Sequence, residues 1–129
     1  MQPKKKILTV DDDPINNQII QEMLGDLYDV ETAVTGHEAL RIARDFQPDI
    51  ILLDITMPGI GGYEVCRLLR AIPDLRDTTV IMVSANKGVD CKAKAYEVGA
   101  RDYITKPFTE ESLHESVSFF LREEFITCY

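Results

Sequence analysis

The chain is expected to fold as a single α/β domain: an open, doubly wound parallel sheet of five strands with five helices. Three observations predict this. Short apolar runs alternate with amphipathic stretches from one end to the other, five times over. Three of the runs, Ile7–Val10, Ile50–Leu53 and Val80–Val83, lack polar alternation, as strands covered on both faces must. At 129 residues, 45% hydrophobic and 28% charged, the chain has the size and balance of one globular core.

The first strand, Ile7–Val10, follows a solvated Lys4-Lys5-Lys6 lead-in and runs into Asp11, Asp12 and Asp13. Asp13 followed by Pro14 marks a helix start, with Asp as N-cap and Pro at the first helical position. Ile15, Ile19, Met23 and Leu27 then form an apolar stripe expected to face the core, widened by Ile20 and Leu24. Val30–Val34 alternates and reads as the edge strand. Thr35-Gly36-His37-Glu38 matches a capping box that opens the second helix, with Leu40 and Ala43 inside. The third strand, Ile50–Leu53, ends in Asp54. A third helix carries Val65, Leu68, Leu69 and Ile72 and stops at Pro73, with Cys66 as a small packing residue beside the stripe. The fourth strand ends in Ser84. The helix from Val89 to Val98 has a thin apolar face and is terminated by Gly99. Tyr103-Ile104 forms the fifth strand, followed by Lys106-Pro107. Thr109 caps a last helix bearing Leu113, Val117, Phe120 and Leu121, whose spacing Phe125 continues. No repeat, internal linker or low-complexity segment interrupts this order.

Right-handed crossovers and strand order 2-1-3-4-5 put the carboxyl ends of strands one and three at the point where strand order reverses, where sites form in open α/β sheets. Asp11, Asp12 and Asp54 are therefore expected to converge there, with Ser84 and Lys106 on the same edge. Two like charges about 4 Å apart repel by roughly 4 kcal/mol at an effective dielectric near 20. Lys106 supplies one positive charge against three negatives, and a hard divalent cation closes the deficit. Oxygen ligands with few protein donors suit Mg²⁺, with Mn²⁺ as a substitute. A carboxylate beside such an ion can act as nucleophile in phosphoryl transfer, with Lys106 supplying charge and Ser84 a hydrogen bond.

Composition narrows the function classes. Lys and Arg total 14 against 22 Asp and Glu, a formal charge of −8, which argues against direct nucleic-acid binding. No apolar run reaches the roughly 18 residues a membrane span needs. Cys66, Cys91 and Cys128 have no metal or disulfide spacing, Cys91 and Cys128 read as exposed thiols, and the cytoplasm is the expected compartment. His37 and His114 read as helix-surface residues with a structural role. A flavin site needs a phosphate cradle after the first strand, where three aspartates would repel it. An aspartyl-phosphate hydrolase needs a second acid that Asp54-Ile55-Thr56 lacks.

Four runs taken together, Val10-Asp11-Asp12-Asp13-Pro14, Leu53-Asp54-Ile55-Thr56-Met57-Pro58 with Gly61-Gly62, Ser84-Ala85, and Asp102 through Phe108, resemble the receiver domain of two-component response regulators. The resemblance covers residues 4–122, leaving 123–129 as a tail or the start of a linker helix. It implies a flavodoxin-like sheet and makes Asp54 the phosphoacceptor. Asp12, Asp54 and the Thr56 backbone carbonyl would bind Mg²⁺, with Asp11 acting through water. Lys106 would pair with the phosphoryl group, and its bond to Pro107 would be cis. Ser84 would move toward the phosphoryl group with Tyr103 swinging inward behind it. The donor would be a phosphohistidine on a sensor histidine kinase or histidine phosphotransfer protein. Such a chain is a phosphoprotein switch that assists its own phosphorylation and dephosphorylation rather than an enzyme. Output is expected through helix four, strand five and helix five, a face that could also form a homodimer. The alternative is a phosphorylation-independent docking module on the same fold. The Phe125–Tyr129 ending suggests a piece cut from a longer protein.

Overall fold

The computed structural model describes residues 3–126, with side chains through residue 121. Five parallel strands, β1 (Lys6–Val10), β2 (Asp29–Ala33), β3 (Ile50–Asp54), β4 (Thr79–Ser84) and β5 (Asp102–Thr105), lie in the order β2-β1-β3-β4-β5. The connecting helices are α1 (Pro14–Leu24), α2 (Gly36–Phe46), α3 (Gly62–Ala71), α4 (Val89–Glu97) and α5 (Glu110–Ile126), with a single 3₁₀ turn at Pro73–Leu75.

Alternation along the strands builds two cores. Ile7, Ile50, Leu52, Ile81 and Val83 face α1 and α5, meeting Ile20, Leu24, Leu113, Val117 and Leu121. Leu8, Val10, Ile51, Leu53, Val80 and Met82 face the other helices, meeting Ala39, Ala43, Val65, Cys66, Leu69 and Ala95. Each fully buried aliphatic side chain contributes about 1.5–3 kcal/mol. α4 buries only Ala95 within its own length, so it is the least anchored helix. Gly99, at φ +108°, ends that segment in a conformation other residues rarely adopt.

Register sets the site. Val10 pairs with Leu53, so Asp11 and Asp54 leave the sheet side by side. Asp54 pairs with Val83 and Ser84 with Thr105, which staggers Ser84 and Lys106 one step further along the same edge.

Several packing expectations need correction. The stripe on α1 is not the one expected: Ile15 is 64% exposed and Ile19 42%, while Asn17, Ile20 and Leu24 are buried. Two overlapping stripes were available, and Asn17 selects between them. Its amide donates to the carbonyls of Asp11 (3.0 Å) and Ala33 (2.9 Å), and its oxygen accepts from Thr9 Oγ1 (3.4 Å). Those bonds fix the helix rotation and turn Ile15 and Ile19 to solvent. The helix also stops at Leu24, leaving Leu27 exposed in the following turn. On α3, Leu68 faces solvent and Cys66 takes the buried position, its thiol 3.3 Å from the Val98 carbonyl. Cys91 is half-buried against the core rather than exposed, and Cys128 lies outside the described residues. The Thr35 box forms with a shift: Thr35 Oγ1 accepts from Glu38 N–H at 3.0 Å, but Glu38 reaches back to Val34 N–H at 2.8 Å.

Candidate active site

Asp11, at the end of β1, is 4% exposed and fully engaged. Its Oδ1 accepts the Asp13 N–H at 2.9 Å, while Oδ2 accepts Lys106 Nζ at 2.8 Å and Asn16 Nδ2 at 3.3 Å. Asp12 projects into solvent, and Asp13 caps α1 by accepting the Ile15 N–H at 2.9 Å. Asp54, at the end of β3, keeps 12% of its side chain accessible and accepts the Thr56 N–H at 3.3 Å. Gly62 makes this corner possible. A Cβ there would sit 2.4 Å from the Asp54 carbonyl oxygen, and its N–H closes the loop on Ile55 O at 2.8 Å.

Asp11, Asp12 and Asp54 each offer one carboxylate oxygen, all within 4.8 Å of one another. That is the donor set a hard, oxygen-binding divalent cation requires, so the residues fit Mg²⁺. The one cation of the described site, Lys106, sits 2.8 Å from Asp11 Oδ2 and 3.9 Å from Asp54 Oδ2. Burial raises the Asp54 pKa above 3.8, as do Asp11 and Asp12, against the lowering effects of Lys106 and the Thr56 N–H.

Ser84 is buried at the end of β4, its hydroxyl oxygen accepting the Asn86 N–H at 3.1 Å. Tyr103 points inward, its ring buried and its hydroxyl donating to the Asn86 carbonyl at 2.7 Å. The Lys106 N–H donates to Ser84 O at 2.8 Å, and the Lys106–Pro107 peptide is cis. An open cleft of about 380 Å³ borders this edge, lined by Asn16, Ile19, Met23, Lys106 and Phe108 among others.

Sequence reasoning missed Asn16 and Asn17 on Asp11, and Tyr63, whose hydroxyl donates to the Cys91 carbonyl at 3.0 Å and so ties α3 to α4. It also missed a partner for His114, whose Nε2 lies 2.8 Å from the Met23 carbonyl and joins α5 to α1. The only available signal was a polar residue at a helix position spaced with Ile20 and Leu24.

A flavodoxin-like sheet with an acidic pocket at its switch point and a lysine across from it defines a class of signalling domain. The chain belongs to the response regulator receiver domain family, whose model matches residues 7–118. It is 38% identical over 120 residues to the DNA-binding dual master transcriptional regulator RpaA of Synechocystis sp., covering 91% of this chain and 49% of that protein. It is 39% identical over 113 residues to the response regulator PleD of Caulobacter vibrioides, covering 87% and 25%. The chain thus spans about half or less of the length of these curated relatives. The structure of Vibrio cholerae chemotaxis protein CheY4 superposes with a TM-score of 0.87 at 31% identity, over 91% of this chain and 98% of that one. Among the described residues, no helix is long and apolar enough to cross a membrane.

Proposed function

We propose that this chain is a Mg²⁺-dependent phosphoacceptor switch of a two-component phosphorelay, phosphorylated on Asp54. The observation that carries the reading is the accessible Asp54 carboxylate gathered with Asp11 and Asp12 within 4.8 Å and faced by Lys106. In the transfer, an Asp54 oxygen bonds to phosphorus as the donor's N–P bond breaks. The departing imidazole keeps the electron pair and takes up a proton. Mg²⁺ held by Asp12, Asp54 and the Thr56 carbonyl, with Asp11 acting through water, would neutralise charge on the phosphoryl oxygens. Lys106 turns from Asp11 toward the new phosphoryl group, and Ser84 offers it a hydroxyl.

The donor in this reading is a sensor histidine kinase or histidine phosphotransfer protein. Ile15 and Ile19 support it, because they form an exposed apolar strip that begins three residues beyond Asp12. Phosphorylation adds about 1.5–2 negative charges and biases α4, whose few buried contacts make rearrangement inexpensive. Output then passes through α4, β5 and α5, where Tyr96 and Phe119 are exposed and could also join two copies. The chain assists its own phosphorylation and dephosphorylation without turning over another substrate, and it works in the cytoplasm.

Intact mass after incubation with acetyl phosphate, with and without Mg²⁺, tests the reading. One added phosphoryl group that requires both Mg²⁺ and Asp54 is the expected result. No gain in the folded protein, with either acetyl phosphate or a phosphorylated histidine donor, would leave a docking module instead.

A further inference from the structure

We infer that Asn16 is a positioning residue of the acceptor site, holding the Asp11 carboxylate in place when Lys106 turns to the phosphoryl group. The inference rests on the phosphoacceptor reading above. Asp11 is buried, and its Oδ1 is served by the Asp13 N–H. Its Oδ2 has two donors, Lys106 Nζ at 2.8 Å and Asn16 Nδ2 at 3.3 Å. Lys106 also lies 3.9 Å from Asp54 Oδ2, so one ammonium serves two carboxylates and favours Asp11 in the unphosphorylated chain.

A dianionic phosphoryl group on Asp54 reverses that preference. As the ammonium moves toward it, the contact to Asp11 stretches past hydrogen-bond length. Asp11 is then a buried carboxylate whose second oxygen keeps one donor from the protein itself, the Asn16 amide, which fixes its direction toward the metal-bound water. Without that donor no group of the protein holds the oxygen, and a buried charge with one fewer hydrogen bond is costly. Asn16 is neutral, so it can hold Asp11 without competing for the phosphoryl charge.

The neighbouring asparagine has a different task. Asn17 is 2% exposed and binds main-chain carbonyls of Asp11 and Ala33, so it supports the fold. Asn16 is half-exposed on the cleft wall beside Lys106, and its side-chain amide donates to the Asp11 carboxylate rather than to main-chain carbonyls. The two therefore separate positioning from structure.

The test compares the original chain with Asn16→Ala and Asn17→Ala by calorimetric titration, first with MgCl₂ and then with beryllofluoride, a phosphoryl mimic, at saturating MgCl₂. Asn16→Ala should weaken beryllofluoride binding about tenfold, roughly 1.4 kcal/mol. Its Mg²⁺ affinity and thermal midpoint should stay within about twofold and 2 °C, because Lys106 still serves Asp11 in that state. Asn17→Ala should lower the thermal midpoint. Equal weakening of Mg²⁺ and beryllofluoride binding in Asn16→Ala would overturn the inference, as would no change in either. Failure of the original chain to bind beryllofluoride, or binding that survives Asp54→Asn, would instead overturn the phosphoacceptor reading itself.

Discussion

Replacing Asp54 by Asn should make the metal-free protein more stable at neutral pH. Carboxylate oxygens within 4.8 Å repel by about 3.5 kcal/mol per pair at an effective dielectric of 20. Asp54 faces two such neighbours, and Lys106 at 3.9 Å returns about 4 kcal/mol of attraction at the same dielectric. The balance is unfavourable by about 3 kcal/mol before screening, and the exposure of Asp12 reduces it to about 1–2 kcal/mol. In a domain of this size that is a rise of about 4–8 °C in the thermal midpoint. The sign follows from the raised Asp54 pKa, whose first cause is burial. The folded state holds the proton more tightly than the unfolded chain, so stability falls as pH rises from the ordinary carboxylate value of 3.8 through the raised one. The gain from Asp54→Asn is therefore absent below pH 3.8 and complete above the raised value. Thermal unfolding in EDTA at pH 7 and at pH 3.5 measures both limits, and saturating Mg²⁺ should erase the gain by stabilising the original chain. A midpoint for Asp54→Asn at or below the original at pH 7 in EDTA would refute this account of the site's electrostatics.

Gly62→Ala places a methyl group 2.4 Å from the Asp54 carbonyl, so the β3–α3 corner must shift; a loss of about 2–3 kcal/mol in urea unfolding and weaker Mg²⁺ binding are expected. Arg70 donates to the carbonyls of Arg76, Thr78 and Gly99 at 2.7–2.8 Å, joining three turns at the edge opposite the site. Arg70→Met should cost about 2–3 kcal/mol in the same assay while leaving phosphorylation by acetyl phosphate unchanged. Ile19→Ser, on the exposed strip of α1, should shift the unfolding midpoint by less than about 0.5 kcal/mol equivalent. It should slow phosphorylation by a phosphohistidine protein severalfold and leave the acetyl phosphate rate intact; equal rates with both donors would rule out that strip as the donor-binding face.

Strands were legible because unbroken apolar runs have few other uses in a chain of this length, and topology then placed Asp11, Asp12, Asp54, Ser84 and Lys106 on one edge. Helix rotation was not legible in the same way. Ile15, Ile19 and Met23 make the stronger hydrophobic stripe, yet the weaker set containing Asn17 is buried. The deciding term is the Asp11 carbonyl left at the end of β1, which requires a donor once the strands are paired; the Ala33 carbonyl already accepts the Asp11 N–H at 3.1 Å and takes the Asn17 amide as a second donor. No count of apolar residues contains that requirement. Arg70 and Tyr63 escaped for a related reason: the carbonyls they reach lie up to 29 residues away along the chain and become neighbours only in the folded sheet.

The exposed α1 strip and the crowded acceptor corner follow from one arrangement. Asn17 spends its amide on the backbone that carries Asp11, and that choice rotates α1 so that Asn16 meets the Asp11 carboxylate and Ile15 and Ile19 meet solvent. A helix rotated to bury Ile15 and Ile19 would gain roughly 1.5–3 kcal/mol for each side chain fully covered. It would also withdraw the Asn17 amide from the Asp11 carbonyl, at a cost of about 1–3 kcal/mol if left unpaired, while the Ala33 carbonyl would keep the Asp11 N–H at 3.1 Å. Because such a helix would uncover Ile20 and Leu24, the apolar terms largely offset and hydrophobic burial alone does not set the orientation. The same rotation leaves an apolar surface beside the nucleophile, where a partner delivering a phosphoryl group would have to sit.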